Sequence, residues 1–152
     1  MTPFKHVPLP IGKFRLVSSI VMAFPIGVLL YLMSASMGWL TLTRQFYFLF
    51  GILAGIILGG IEARLVIAKL RENDKVVVWQ IVPFTIALFG IPLLVMAMFF
   101  GISEYYIFGI FAFLPAIPAA GITSGWYFSK FEQENRVNVF MFYFGFQYWK
   151  RL

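Results

Sequence analysis

Residues 45–68 read QFYFLFGILAGIILGGIEARLVIA, and in this stretch only Glu62 and Arg64 carry a formal charge. An α-helix rises about 1.5 Å per residue, so these residues extend over roughly 36 Å. That is enough to cross the ~30 Å hydrocarbon core of a bilayer. The stretch has no polar face, as a surface helix of a soluble domain would. Its glycines are ordered instead: Gly51, Gly55 and Gly59 recur every four residues along one side, with Gly60 beside them.

Three further stretches of the same kind flank it. Residues 16–40 precede it, and residues 76–100 and 105–129 follow, which predicts four spans in a single membrane domain covering 1–152. The composition agrees. Hydrophobic residues make up 61% of the 152 and charged residues 12%, against about 45–50% and about 25% in soluble domains. A soluble domain of this size leaves about 30% of its unfolded-state surface in water, so a soluble globular enzyme is excluded. Disorder is excluded by the 20% of aromatic residues. The first span is much longer than the roughly 7–15 apolar residues of a signal peptide and lacks a clean cleavage site, so it is expected to stay in the mature protein.

Charge sets the direction. Lys5, Lys13 and Arg15 precede the first span. Arg64, Lys69, Arg71 and Lys75 lie in or near the link between spans two and three, and Lys130, Arg136, Lys150 and Arg151 follow span four. The other two links hold only Arg44, a bias of eleven to one. The positive-inside rule then predicts both termini in the cytoplasm. Short links predict antiparallel neighbours, so the expected fold is all-α: four transmembrane helices in two tandem hairpins, plus a C-terminal aromatic segment at the membrane interface.

Within the spans, the Gly51/Gly55/Gly59 stripe and Gly121 with Gly125 are helix-packing positions. They serve either packing inside the bundle or contact with another subunit. Pro25, Pro83, Pro92, Pro115 and Pro118 interrupt three spans, and broken helices are one way to build a transport site. The strings around Gly60 and Gly121 resemble each other at an offset of 61 residues, a hint of duplicated hairpins. Glu62 and Arg64 are the ionisable residues well inside a span, and such residues are functional candidates. Two positions apart, they point to different helix faces; Glu62 has Arg15 or Lys130 as a possible partner on a neighbouring helix. A structural pair at the rim and a proton relay are the two readings.

The tails differ. Residues 1–15 form an N-terminal cytoplasmic tail, in which the stretch from Thr2 to Lys13, with Pro3, Pro8 and Pro10, reads as an extended segment along the membrane surface or a partner. Residues 130–152 form a cytoplasmic interfacial tail in which Arg136, Phe140, Phe144, Tyr148 and Trp149 interleave base and ring in a manner suited to lipid headgroups. The stretch from Val137 to Trp149 is too short to span as a helix, and a helix there would be apolar nearly all round.

The inventory argues against catalysis. There is no cysteine and one histidine, His6, and no metalloprotease or phosphate-loop motif. No cofactor, metal or direct nucleic-acid partner is expected; membrane lipids and other membrane subunits, or copies of the chain, are. The expected function is that of a non-catalytic assembly subunit of a larger membrane complex. The alternative is a small oligomeric transporter or channel with its site at the proline-bent helices.

The segment Lys130-Phe131-Glu132-Gln133-Glu134-Asn135-Arg136, with the hairpin before it and the aromatic tail after it, resembles the small inner-membrane subunits of type IV secretion and conjugation systems, the TraL-like and PrgI-like proteins. The string Leu40-Thr41-Leu42-Thr43-Arg44-Gln45-Phe46 is similar to a Leu-Thr-Leu-Arg-Gln string of the PrgI-like group. Here it has an extra threonine and follows a span, and the chain has four spans where that family usually has two. The resemblance implies a subunit working beside a secretion ATPase, with no catalytic residue to carry over.

Overall fold

The computed structural model describes residues 10–36, 42–141 and 147–151. Four helices are long and apolar enough to cross a membrane. They are α1 (Ile11–Ser36), α2 (Leu42–Glu72), α3 (Ile81–Phe100) and α4 (Ile102–Asn135). Pro10 opens α1, where its missing N–H costs nothing, and its carbonyl accepts the Phe14 N–H at 3.0 Å. At the end of α2, the Asn73 N–H and side-chain amide both donate to the Lys69 carbonyl (3.1 and 3.3 Å). They satisfy a carbonyl that the ending helix leaves open.

The third helix holds a wide turn of π type, Ile86–Gly90, just before Pro92. A proline ring crowds the carbonyl four residues back and offers it no donor. A π turn absorbs that misfit without breaking the helix. It turns Phe89 inward, edge-on to Phe113 of α4 (5.0 Å between ring centroids) and Phe50 of α2 (6.2 Å).

Gly101 alone joins α3 to α4, with φ 88° and ψ 172°. Only glycine adopts that conformation readily. A Cβ built there meets nothing within 4 Å, so the cost of a side chain is purely one of backbone conformation. Gly101→Ala is expected to lower stability by about 1–3 kcal/mol, read from unfolding of the purified protein in mixed detergent micelles.

The fourth helix is the hub. The second helix runs parallel to it, with Gly51, Gly55 and Gly59 against the backbone of Ala112, Ala116 and Ala120. The first runs antiparallel on another side, with Gly12 at Ser129, Leu16 at Gly125 and Ser19 at Gly121. The third is also antiparallel and crosses at Leu93 and Gly109. The up-down alternation of four spans therefore holds. Of the two tandem hairpins, the second holds, α3 turning at Gly101 to pack on α4, and the first does not: α1 and α2 are consecutive, yet each makes its main contacts with α4. Glycine and alanine let backbones approach, and α4 carries such residues on more than one side. The glycine stripe of α2 is occupied inside the chain, which leaves no zipper there for another subunit.

The fold is not all-α. Strands β1 (Lys75–Val77), β2 (Asn138–Met141) and β3 (Gln147–Arg151) form an antiparallel sheet in the order β1-β3-β2. The third long apolar helix starts at Ile81, and Val76, the expected start of the span, lies in β1. The described part of the aromatic tail is two strands, not an interfacial helix. Val, Phe, Tyr and Trp favour a pleated half-buried surface, and Asn138 and Gln147 face out while Val139 and Tyr148 face in. Phe140 pairs directly across from Trp149 (ring centroids 6.0 Å apart), and Tyr148 lies opposite both Val76 and Met141. Phe144 lies outside the described residues.

The sheet closes the bundle at the end where α1 starts and α2 and α4 finish. Val76, Val139 and Tyr148 pack there on Ile11, Val66, Leu70, Phe128 and Phe131. Lys150 fastens the closure: its Nζ donates to the Leu70 carbonyl (2.6 Å) and lies 3.5 Å from Asp74. A cation suits the negative end of α2. Arg136, expected as an interfacial base, ends α4 in the left-handed conformation (φ 53°), and both its N–H and that of Val137 donate to the Glu132 carbonyl. This is a Schellman-type ending with arginine where glycine is usual.

Candidate functional site

One polar cluster lies beneath the sheet. Arg15 comes from the second turn of α1, Glu62 from α2, Ser124 and Phe128 from α4, Met141 from β2 and Tyr148 from β3. The close approach of α1 to α4 makes the meeting possible. A Cβ on Gly125 would lie 2.9 Å from the Leu16 nitrogen and 3.0 Å from the Gly12 carbonyl, and one on Gly121 would collide with the Ser19 hydroxyl. Any larger residue at these positions would push Arg15 away from the interior.

The guanidinium meets Glu62 with two parallel bonds: Nη1 donates to Oε2 and Nη2 to Oε1, each at 2.8 Å. Nη1 also donates to Ser124 Oγ at 2.8 Å. Nη2 reaches Met141 Sδ at 3.2 Å and Tyr148 Oη at 3.4 Å. The Tyr148 hydroxyl donates to Glu62 Oε1, so the carboxylate has three donors. The guanidinium also sits over the Phe128 ring, 5.5 Å from its centroid, and that ring stacks on Tyr148. A planar fork on a carboxylate is among the strongest charge-assisted arrangements.

Ser124, Phe128 and Tyr148 are fully buried, while Arg15 and Glu62 keep 16% and 17% of their side-chain surface. Burial, and next the neighbouring Glu62 carboxylate, push the Tyr148 hydroxyl above its ordinary value. It therefore stays protonated, as a donor, at neutral pH.

The other candidate residues fall elsewhere. Arg64 faces outward, where Nη2 donates to Tyr127 Oη at 3.3 Å and the guanidinium covers the Tyr127 ring. The two charges of the quoted stretch thus part company, as their two-residue spacing requires. Of the two possible partners of Glu62, Arg15 is the one that meets it; Lys130 lies 3.9 Å from Glu134. Gly51, Gly55, Gly59, Gly121 and Gly125 are all in helix contacts within the chain.

The sequence reading did not single out Ser124, Met141 or Glu132. Glu132 is buried near the end of α4, where Oε1 accepts the Val139 N–H at 3.0 Å and the carboxylate also accepts a backbone N–H from Gly12. It ties β2 to the start of α1. Its only sequence signal was an acidic residue in the mixed-charge segment from Lys130 to Arg136. Chemically, the cluster can neutralise two charges and fix five elements relative to one another. Among the described residues no group of three histidine, cysteine or carboxylate side chains is close enough to hold a metal ion. No family model, curated protein or solved structure matches this chain.

Proposed function

We propose that the chain is a non-catalytic membrane subunit, with both termini cytoplasmic, that assembles with other membrane proteins or with copies of itself. The observation that carries this reading is the closure of the Arg15–Glu62 cluster. The two charges satisfy each other, and Ser124, Met141 and Tyr148 take up what remains. A group that relays protons or holds a substrate must exchange partners, whereas this one is locked between five elements. The outward surface is apolar, with Phe24 and Tyr31 on α1 and Met98 and Phe99 on α3 among the most exposed large side chains, a face that lipid or another helix can cover. A complex of the secretion or conjugation type fits the resemblance of the C-terminal half.

The π turn at Ile86–Gly90 favours the second reading, a transporter with its site at the bent helices. Its inward residue, Phe89, is packed among Phe50 and Phe113, a ring cluster that offers no polar group to a solute.

The absence of cysteine makes the tests direct. Single-cysteine variants Ser103→Cys and Arg151→Cys should differ toward a membrane-impermeant maleimide. The first is expected to react in intact cells and the second only after permeabilisation; the reverse pattern sinks the orientation. Phe24→Cys and Met98→Cys, crosslinked in native membranes, are expected to yield defined adducts with a membrane protein. Monomers alone, together with a proton leak in vesicles that Glu62→Gln abolishes, would replace the subunit by a relay.

A further inference from the structure

Outside the buried cluster, on the flank of the bundle, the last turns of α2 and α4 enclose an open groove of about 360 Å³. Arg64, Ala68, Arg71, Tyr127, Lys130 and Glu134 line it, three cations to one anion. Arg64, Ala68 and Arg71 follow one another at four and three residues, so they share one face of α2, and α4 brings Lys130 from across. The alanine between the two arginines leaves room for a ligand.

Tyr127 holds Arg64 from two sides, as acceptor and as ring. That bond uses one of the five N–H donors of a guanidinium. Lys130 meets Glu134 at 3.9 Å with both side chains 59% exposed, a weak surface pair, and its ammonium lies over the Trp126 ring, 5.8 Å from the centroid, a contact that uses none of its N–H donors on an oxygen. The groove therefore holds more positive charge and more donors than its own residues use.

Its place on the helices suggests what fills it. Toward the middle of the bundle the same flank is apolar, with Ile57, Ile122 and Trp126 exposed. Toward the sheet it is charged. An anionic phospholipid has the same two parts in the same order. We infer that this groove binds the phosphate of an anionic phospholipid in the leaflet at the sheet end, its acyl chains lying along Ile57, Ile122 and Trp126. Arginine forks match phosphate oxygens, and basic pockets between helices recognise such headgroups. The inference needs the spans to lie in a bilayer but does not depend on the subunit reading or on which side the termini face.

Native mass spectrometry of the full chain in mild detergent tests it, with phosphatidylglycerol, phosphatidylcholine of the same acyl chains, and inorganic phosphate as probes. One phosphatidylglycerol is expected to be retained at least about tenfold better than phosphatidylcholine, and inorganic phosphate not at all. Arg64→Gln and Lys130→Gln should each weaken retention roughly five-fold. Lys75→Gln, a base on β1 outside the groove, should leave it unchanged. Glu134→Gln removes the one acid from an exposed position and should strengthen retention, which tests the groove independently of how well the cation variants fold. Equal retention of the two lipids overturns the inference, as does a loss in Lys75→Gln matching that of the groove variants, or weaker binding in Glu134→Gln. Retention of inorganic phosphate would assign the groove to a soluble anion and equally overturn the lipid.

Discussion

Glu62→Ala is expected to destabilise the folded protein by about 3–5 kcal/mol, the typical cost of removing one partner from a buried ion pair. The variant leaves the Arg15 guanidinium beneath the sheet without its counter-charge, and Tyr148 without its acceptor. Steric packing is a minor part of the loss, which gives the prediction a second arm. Replacing both charges, as in Arg15→Met with Glu62→Leu, should recover at least half of it, because two apolar side chains of similar volume need no partner there. Tyr148→Phe should cost about 1.5–3 kcal/mol, the range for a hydrogen bond to a charged group. Combined with Glu62→Ala it should cost less than the sum, since both remove the same bond. Reversible unfolding of the purified chain in mixed micelles measures all four. A Glu62→Ala protein within about 1 kcal/mol of the parent would mean that the pair is solvated and that the sheet does not seal it.

Gly55→Leu is expected to cost about 3 kcal/mol or somewhat more, the upper end for overpacking a close contact. The reason is local. A Cβ at residue 55 meets the Ala116 carbonyl and lies 2.9 Å from the Ala116 Cα, so neither rotamer choice nor side-chain movement relieves it. The backbones of α2 and α4 must separate, and the dispersion contacts along both helices weaken together. Gly60 supplies the comparison. A Cβ there meets only the Tyr127 ring at 3.9 Å and the Thr123 methyl at 4.0 Å. Gly60→Ala should therefore stabilise by about 0.5–1 kcal/mol through helix propensity, whereas Gly55→Ala should destabilise despite the same gain. Two substitutions of one kind, five residues apart, should thus move stability in opposite directions. The loss in Gly55→Leu should appear in the isolated chain, because the stripe is filled by α4 and not by another protein.

Four spans were readable from the sequence because each carries its own evidence. An apolar run of helical length needs no partner to be recognised, and Gly51, Gly55 and Gly59 mark a close approach by their spacing alone. The spacing of Glu62 and Arg64 also sufficed to send them to different faces. What it left open was the neighbour. Short links suggested that α1 pairs with α2, but a link limits only the distance between helix ends. Which sides meet was decided by the small residues that α4 carries on several sides, which receive α1 and α2 at once. The sheet was hidden for a related reason. Lys75–Val77 is three residues long and has no strand identity until Gln147–Trp149 lies beside it, from 70 to 74 residues further along the chain. Arg15, counted with the basic N-terminal tail, was one of two partners the sequence offered Glu62, and nothing local chose it over Lys130. Glycines at 121 and 125 admit α1 to the interior, and only then does its charge meet Glu62. Span length, charge bias and glycine spacing are local and were set by the sequence; the pairing of Arg15 with Glu62 and the closing sheet needed the tertiary structure, because each joins residues whose partners the chain brings together only on folding.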